Sequence, residues 1–88
     1  MYYVYVLLSL KDKKKYIGYS SRLNFRLDQH SKGLVKSTKN RRPLKLVYFE
    51  GYINKNNAEK REKFYKSGRG RETLNIILKD TLKEFSII

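Results

Sequence analysis

The chain has 88 residues and carries 21 Lys and Arg against 8 Asp and Glu, a formal charge of +13. At that length it forms one domain at most, since domains typically run to about 100–150 residues, and any site on it is small and open. It has no cysteine and one histidine, which excludes disulfides, thiolate catalysis, Cys-based zinc sites and a multi-His metal centre.

Residues 2–8 are a run of β-branched and aromatic side chains and read as a strand. The charged stretch 11–15 reads as a turn, and residues 16–20 as a second strand completing a hairpin. Alternation puts Val4 and Val6 on one face of the first strand and Tyr3, Tyr5 and Leu7 on the other. A register that buries Val4, Val6 and Ile17 together brings Tyr5, Tyr16 and Gly18 together on the opposite face. Ser20 or Ser21 is placed to N-cap a helix running to about residue 32, with Gly33 ending it. Leu23 and Leu27 mark its core side, while Arg22, Arg26 and His30 repeat at i,i+4 as a separate stripe. Residues 34–42 form a basic loop closed by Pro43, and residues 44–52 a third strand in which Leu46, Tyr48 and Glu50 share a face. Asn54, Asn56 and Asn57 offer caps for a helix over 55–66, with Ala58, Glu62 and Tyr65 on one side. Gly68 and Gly70 break that helix. A last helix over about 71–85 has apolar positions at Leu74, Ile77, Leu78, Leu82 and Phe85. The order β-β-α-β-α-α implies a small α/β (α+β) sandwich, a three-stranded, mostly antiparallel sheet with helices on both sides. Residues 1–88 are read as one unit.

The hydrophobic share is 40%, with 8 Tyr and 4 Phe, which argues against disorder. No apolar run approaches the roughly 20 residues of a membrane span, and the first ten residues lack the pattern of a signal peptide. Both features suggest a cytoplasmic protein. The sequence pI of about 10.1 and the repulsion inherent in so much like charge point to a polyanionic partner, nucleic acid before membrane. The competing reading is a merely solvated basic surface.

Tyr3-Val4-Tyr5, a short turn, and Tyr16-Ile17-Gly18 resemble the paired signature of the GIY-YIG nuclease family. The first tripeptide has Tyr-Val where the family name has Gly-Ile, and the second matches in full. Arg26-Leu27-Asp28-Gln29-His30 resembles the family's Arg-Leu-x-x-His segment. Residues 41–48 resemble the entry to its third strand, and residues 58–66 the helix that carries its glutamate. The ordered set spans about residues 2–72. It implies a metal-dependent endonuclease domain, of the kind found in excision-repair incision subunits, with the size of the stand-alone bacterial members. The substrate implied is DNA, with branched or damaged forms and RNA left open. A protein partner or homodimer is also left open.

The resemblance assigns catalytic roles to Tyr5, Tyr16, Arg26, His30 and Glu62. Glu62 would be the metal ligand for one Mg²⁺ or Mn²⁺, since a single carboxylate is enough for a hard cation that keeps its waters. Its bland alternative is an i,i+4 pair with Lys66. Arg26 would clamp the scissile phosphate with its planar fork. His30 would orient or deprotonate the nucleophile, and its alternative is an ordinary packing residue. One tyrosine would be the general base and the other its support, with Tyr16 favoured for the water. A free phenol titrates near 10 and needs neighbouring positive charge to serve. Gly18 would admit substrate backbone, or else mark a bulge. Lys15, Arg22, Lys39, Arg41, Arg42, Lys66, Arg69 and Arg71 complete the expected nucleic-acid contacts. Tyr19 stands where several members carry Lys, a contact Lys15 could replace. Asn75 is a late polar residue outside the assigned set. Residues 68–71 would either cradle a phosphate or form a helix–helix turn. The other function weighed is a basic nucleic-acid-binding module with this fold and little turnover.

Overall fold

The protein is described from a computed structural model covering residues 1–86. Three strands, β1 (Tyr2–Ser9), β2 (Lys15–Ser20) and β3 (Leu44–Tyr52), form an antiparallel sheet in the order β2-β1-β3. Four helices follow the chain: α1 (Leu23–Ser31), α2 (Lys55–Lys66), α3 (Gly68–Ile77) and α4 (Lys79–Glu84). The fold is α+β. No helix among the described residues is long and apolar enough to cross a membrane.

The central strand β1 is buried over Val4–Leu8, as expected for a strand covered on both faces. Val6 pairs with Ile17, Tyr5 with Gly18 and Leu7 with Tyr16, the register the apolar alternation demands. Val4, Val6 and Ile17 pack with Ala58 and Tyr65 of α2, Leu74 of α3, and Leu78 and Leu82 further along. Tyr5 lies on the opposite face, against His30 of α1. Helices therefore cover both sides.

The third strand departs from simple alternation. Val6 faces Tyr48 but Leu7 faces Leu46, so the ladder slips at a bulge around Val47. Leu46 moves to the Tyr5 side while Tyr48 and Glu50 stay on the other. One extra residue reverses the facing of everything before it.

Local chemistry explains most helix ends. Asn54 caps α2, its side chain accepting from the backbone N–H groups of Asn56 (2.8 Å) and Asn57 (3.3 Å). The expected serine cap of α1 is not formed. Helix α1 begins at Leu23 with Arg22 in the cap position, one residue beyond Ser21, and the Ser20 hydroxyl instead accepts from the N–H of Arg22 at 2.9 Å. Gly33 follows α1 with φ +76, the left-handed position that glycine adopts at low cost.

The expected last helix is in fact two. Leu78 adopts φ −99, ψ 13 between α3 and α4, which turns Leu82 back toward the core and leaves Ile77 exposed at 42%. Gly68 and Gly70 do not separate the helices but open α3, and the break sits at Ser67, whose hydroxyl accepts from Gly70 N–H at 3.1 Å. Gly70 is required for contact with the end of α2. A Cβ there would lie 2.7 Å from Tyr65 Cα and closer still to the Phe64 carbonyl. Residues 68–71 are thus the first turn of a helix, capped internally.

The loop before β3 is tied to the hairpin. Ser9 Oγ donates to the Arg41 carbonyl at 2.6 Å and accepts from the N–H groups of Lys11 and Asp12. A short 3₁₀ turn, Lys39–Arg41, lies within this loop.

Candidate active site and nucleic-acid interface

The side chains Tyr5, Tyr16, Arg26 and His30 converge on the α1 face of the sheet. Tyr5 projects from the middle of the central strand and is 1% exposed. Its ring crosses Gly18 on the neighbouring strand, so closely that a Cβ on Gly18 would lie 2.7 Å from Cε2 and nearer still to Cζ and Oη. The space left by Gly18 is filled by the Tyr5 phenol, and the pairing there is regular, not bulged.

His30 is 1% exposed, with both ring nitrogens engaged. Nε2 lies 2.8 Å from Tyr5 Oη, and Nδ1 lies 2.8 Å from Thr38 Oγ1. We assign the proton to Nδ1, which then donates to Thr38 while the phenol donates to Nε2; a neutral imidazole has one donor and one acceptor to give. Burial, and secondarily the nearby Arg26 charge, push the His30 pKa down to about 4. Burial, followed by the neighbouring Tyr16, pushes Tyr5 up to about 12, with the Arg26 guanidinium opposing and Glu62 adding to the rise. At neutral pH the pair is therefore uncharged, a protonated phenol held by a neutral imidazole.

Tyr16 stands beside this pair, its ring 5.2 Å from His30 and 6.5 Å from Tyr5. It is half-buried and opens onto solvent. Arg26, also half-buried, is braced by Gln29 Oε1 at 3.0 Å.

Glu62 stands on α2, which packs on the other face of the sheet, and its charge is the weakest of the influences on the Tyr5 phenol. Its carboxylate pairs with Lys66 Nζ at 3.1 Å, with the Glu62 side chain 23% exposed. No group of three or more His, Cys, Asp or Glu side chains gathers among the described residues. A soft or fully protein-caged metal is therefore a poor match. A hard cation that retains most of its water and takes oxygens from phosphate fits this single carboxylate.

A groove runs along the β2 edge from Tyr16. Lys13, Lys14, Lys15, Lys66 and Arg71 line it together with Asn75. Lys15 is partly desolvated, which lowers its pKa, and its Nζ donates to Asn75 Oδ1 at 2.8 Å. Tyr19 is not part of the groove and stacks on Tyr2 at 6.4 Å.

The expected phosphate contacts therefore divide. Lys15, Lys66 and Arg71 share the groove, while Arg69 is exposed outside it. Arg41 is already committed: it pairs with Asp12 at 2.7 Å and donates to the Lys14 carbonyl at 3.1 Å, bracing the hairpin. Arg42 lies over Gly33 and donates to the carbonyls of Lys39 and Ser31. Lys39 and Arg42 lie with Lys11 around a separate hollow, and Arg22 stands over Phe25. Sequence reasoning did not find Thr38, because nothing in a polar loop marks the residue that will meet a histidine one helix away. It found Asn75 only as an unplaced polar residue.

A second polar cluster sits on the opposite face. Glu50 accepts from Tyr48 Oη at 2.7 Å, Tyr52 Oη at 2.5 Å, Arg61 Nε at 3.0 Å and Tyr65 Oη. Burial works to raise its pKa, but the four donors outweigh it and hold the carboxylate below its ordinary value.

Residues 1–75 match the family model described as the GIY-YIG catalytic domain. A UPF0213 protein of Clostridium perfringens is 39% identical over 85 residues, covering 96% of this chain and 90% of that one. A UPF0213 protein of Staphylococcus aureus is 38% identical over 77 residues, covering 86% of this chain and 93% of its own. The solution NMR structure of a UPF0213 protein from Bacillus halodurans superposes with a TM-score of 0.55 at 33% identity, covering 88% of this chain and 85% of that one.

Proposed function

This chain belongs to the GIY-YIG catalytic-domain family, and from that premise we propose that it is a divalent-metal-dependent endonuclease that hydrolyses phosphodiester bonds in DNA. The observation that carries the reading is the convergence of Tyr5, Tyr16, Arg26 and His30 at the head of a basic groove, with the Glu62 charge acting on Tyr5 from α2. A binding surface alone has no use for a carboxylate whose charge acts on Tyr5.

The groove cations hold the phosphate backbone and bring one diester to Tyr16. The Arg26 guanidinium offers its fork to the non-bridging oxygens and balances charge that grows as water attacks. Tyr16, the tyrosine open to solvent, positions the attacking water and takes its proton as the new P–O bond forms, while the P–O bond to the leaving oxygen breaks and that oxygen takes a proton from solvent. Tyr5 stays protonated and acts by orientation, with His30 and Thr38 fixing the phenol. His30 is thereby a positioning residue. Glu62 would hold Mg²⁺ or Mn²⁺, and the bound ion supplies Lewis-acid stabilisation of the phosphate and leaving oxygen. Lys66, now paired with Glu62, would be free to turn to phosphate.

The test is nicking of supercoiled plasmid and of a labelled branched oligonucleotide in Mg²⁺, Mn²⁺ or EDTA, with wild type and Glu62→Gln compared. Metal-dependent cutting that disappears in the variant is expected; equal cutting by both proteins refutes the assignment. The ion pair of Glu62 with Lys66 favours a second reading, a binding module with little turnover. That reading expects no cutting but strong salt dependence, with log K falling against log[salt] at a slope of about −4 to −5 for roughly five phosphate contacts.

A further inference from the structure

Tyr3, Arg22, Phe25 and Phe49 line a shallow shelf on the same sheet face as Tyr5, with Ser21 and Asn24 at its rim. Phe25 and Phe49 remain 48% and 52% exposed. Phe49 meets Tyr3 edge-on, 6.2 Å between centroids, and the Arg22 guanidinium stands 4.2 Å over the Phe25 ring. Placing two phenylalanines half in water forgoes burial that the fold uses elsewhere.

The position of the shelf is informative. Phe49 is the cross-strand partner of Tyr5, and Tyr3 precedes it by one side-chain repeat on the same strand. The basic groove lies at the start of β2, along residues 13–17, and the aromatic shelf at its other end, where Ser20 pairs with Tyr3 and residues 21–25 leave the strand, with Tyr5 between these two positions on β1.

We infer that this shelf stacks an unpaired nucleobase adjoining the phosphate held at Tyr16. Aromatic rings and a guanidinium plane both favour the flat face of a base, and neither requires a particular sequence. A base inside an intact duplex has both faces covered by its neighbours, so the occupant is a base at an end, a loop, a flap or a flipped position. No acidic side chain lines the shelf, which suits a nucleotide, whose phosphates carry the negative charge. A second copy of the chain is disfavoured, because each copy brings a charge of +13 to the contact. The adjacency to a scissile phosphate rests on the nuclease reading; stacking on the shelf does not.

Binding in EDTA separates the two. The probe is a short single-stranded DNA with 2-aminopurine at one position, compared with the same strand carrying an abasic residue there and with a blunt duplex. Stacking is expected to quench the fluorophore and to favour the base over the abasic strand by about 5- to 150-fold. Phe49→Leu and Phe25→Leu, which keep apolar bulk without the ring, should each lose most of that preference and of the quench, while duplex affinity stays unchanged. Phe49→Trp should retain both. A base-versus-abasic preference that survives in both leucine variants overturns the inference, as does a wild type with no such preference. A concentration-dependent dimer that Phe49→Leu dissolves would overturn it in favour of a second copy. Absence of metal-dependent cutting would refute the nuclease reading and leave this result standing.

Discussion

Replacing Gly18 with alanine tests how tightly the site is built into the sheet. The added Cβ would meet the Tyr5 ring at less than van der Waals distance at three atoms, 2.7 Å for the most distant of them. Tyr5 is 1% exposed, so the ring has no open direction in which to swing. If the core absorbs the methyl group, overpacking costs about 1–3 kcal/mol. If the ring shifts instead, the 2.8 Å bond to His30 breaks. Losing that bond and stranding a buried imidazole nitrogen costs about 2–4 kcal/mol. Alanine in place of glycine within a strand recovers about 0.5–1 kcal/mol of backbone entropy. From the middle of each range, the net loss is about 1.3 kcal/mol if the core absorbs the methyl group and about 2.3 kcal/mol if the bond breaks, or roughly 5–18 °C in Tm for a domain of this size. Urea unfolding of four proteins measures it: wild type, Gly18→Ala, Tyr5→Leu and the double variant. Because leucine removes the clashing ring, the alanine should cost much less in the Tyr5→Leu background, giving a coupling of about 1 kcal/mol or more. A Gly18→Ala protein within about 0.5 kcal/mol of wild type would refute the packing argument, and so would strictly additive effects in the cycle.

Two further predictions concern the polar clusters. His30 is neutral in the fold with its pKa near 4, against 6.5 ordinarily. The unfolded chain therefore binds the extra proton first, and stability present above the ordinary value is lost as pH falls toward the folded one. The linkage amounts to about 2 kcal/mol between about pH 7 and pH 5, reaching about 3 kcal/mol below pH 4. Denaturation midpoints across that range should show this slope in wild type and a flatter one in His30→Gln, and an NMR titration placing His30 near its ordinary value would overturn it. Glu50→Ala removes the acceptor shared by Tyr48, Tyr52, Arg61 and Tyr65, and Tyr65 is fully buried. Orphaning a buried hydroxyl along with charge-assisted bonds should cost about 2–4 kcal/mol by chemical denaturation, and a loss under about 1 kcal/mol would show that water or a neighbour replaces the carboxylate.

The family, the three strands and the pairing of Tyr5 with Tyr16 on one sheet face were legible in the linear order of residues. Their signals are local: a period-two alternation in β1 and β2 fixes which side chains share a face, and Asn54 marks the start of α2 by its own hydrogen bonds. The same locality explains the errors. The bulge at Val47 that returned Leu46 to the Tyr5 side depends on pairing across strands, which alternation within one strand does not contain. The break at Leu78 is set by packing of Leu74 and Leu82 on the core, and an unbroken apolar period in the sequence gave no sign of it. Arg41 read as a phosphate contact because charge is visible in a sequence and its partner Asp12, a hairpin away, is not. The chain order by itself determined which chemistry-bearing residues exist and which strand faces carry them. Only the tertiary structure decided that Thr38 and His30 fix the Tyr5 phenol in place, that Lys15, Lys66 and Arg71 share one groove, and that Phe25 and Phe49 stand exposed on the Tyr5 face. Each of these joins residues far apart in the chain, and burial, desolvation and charge pairing are properties of that proximity.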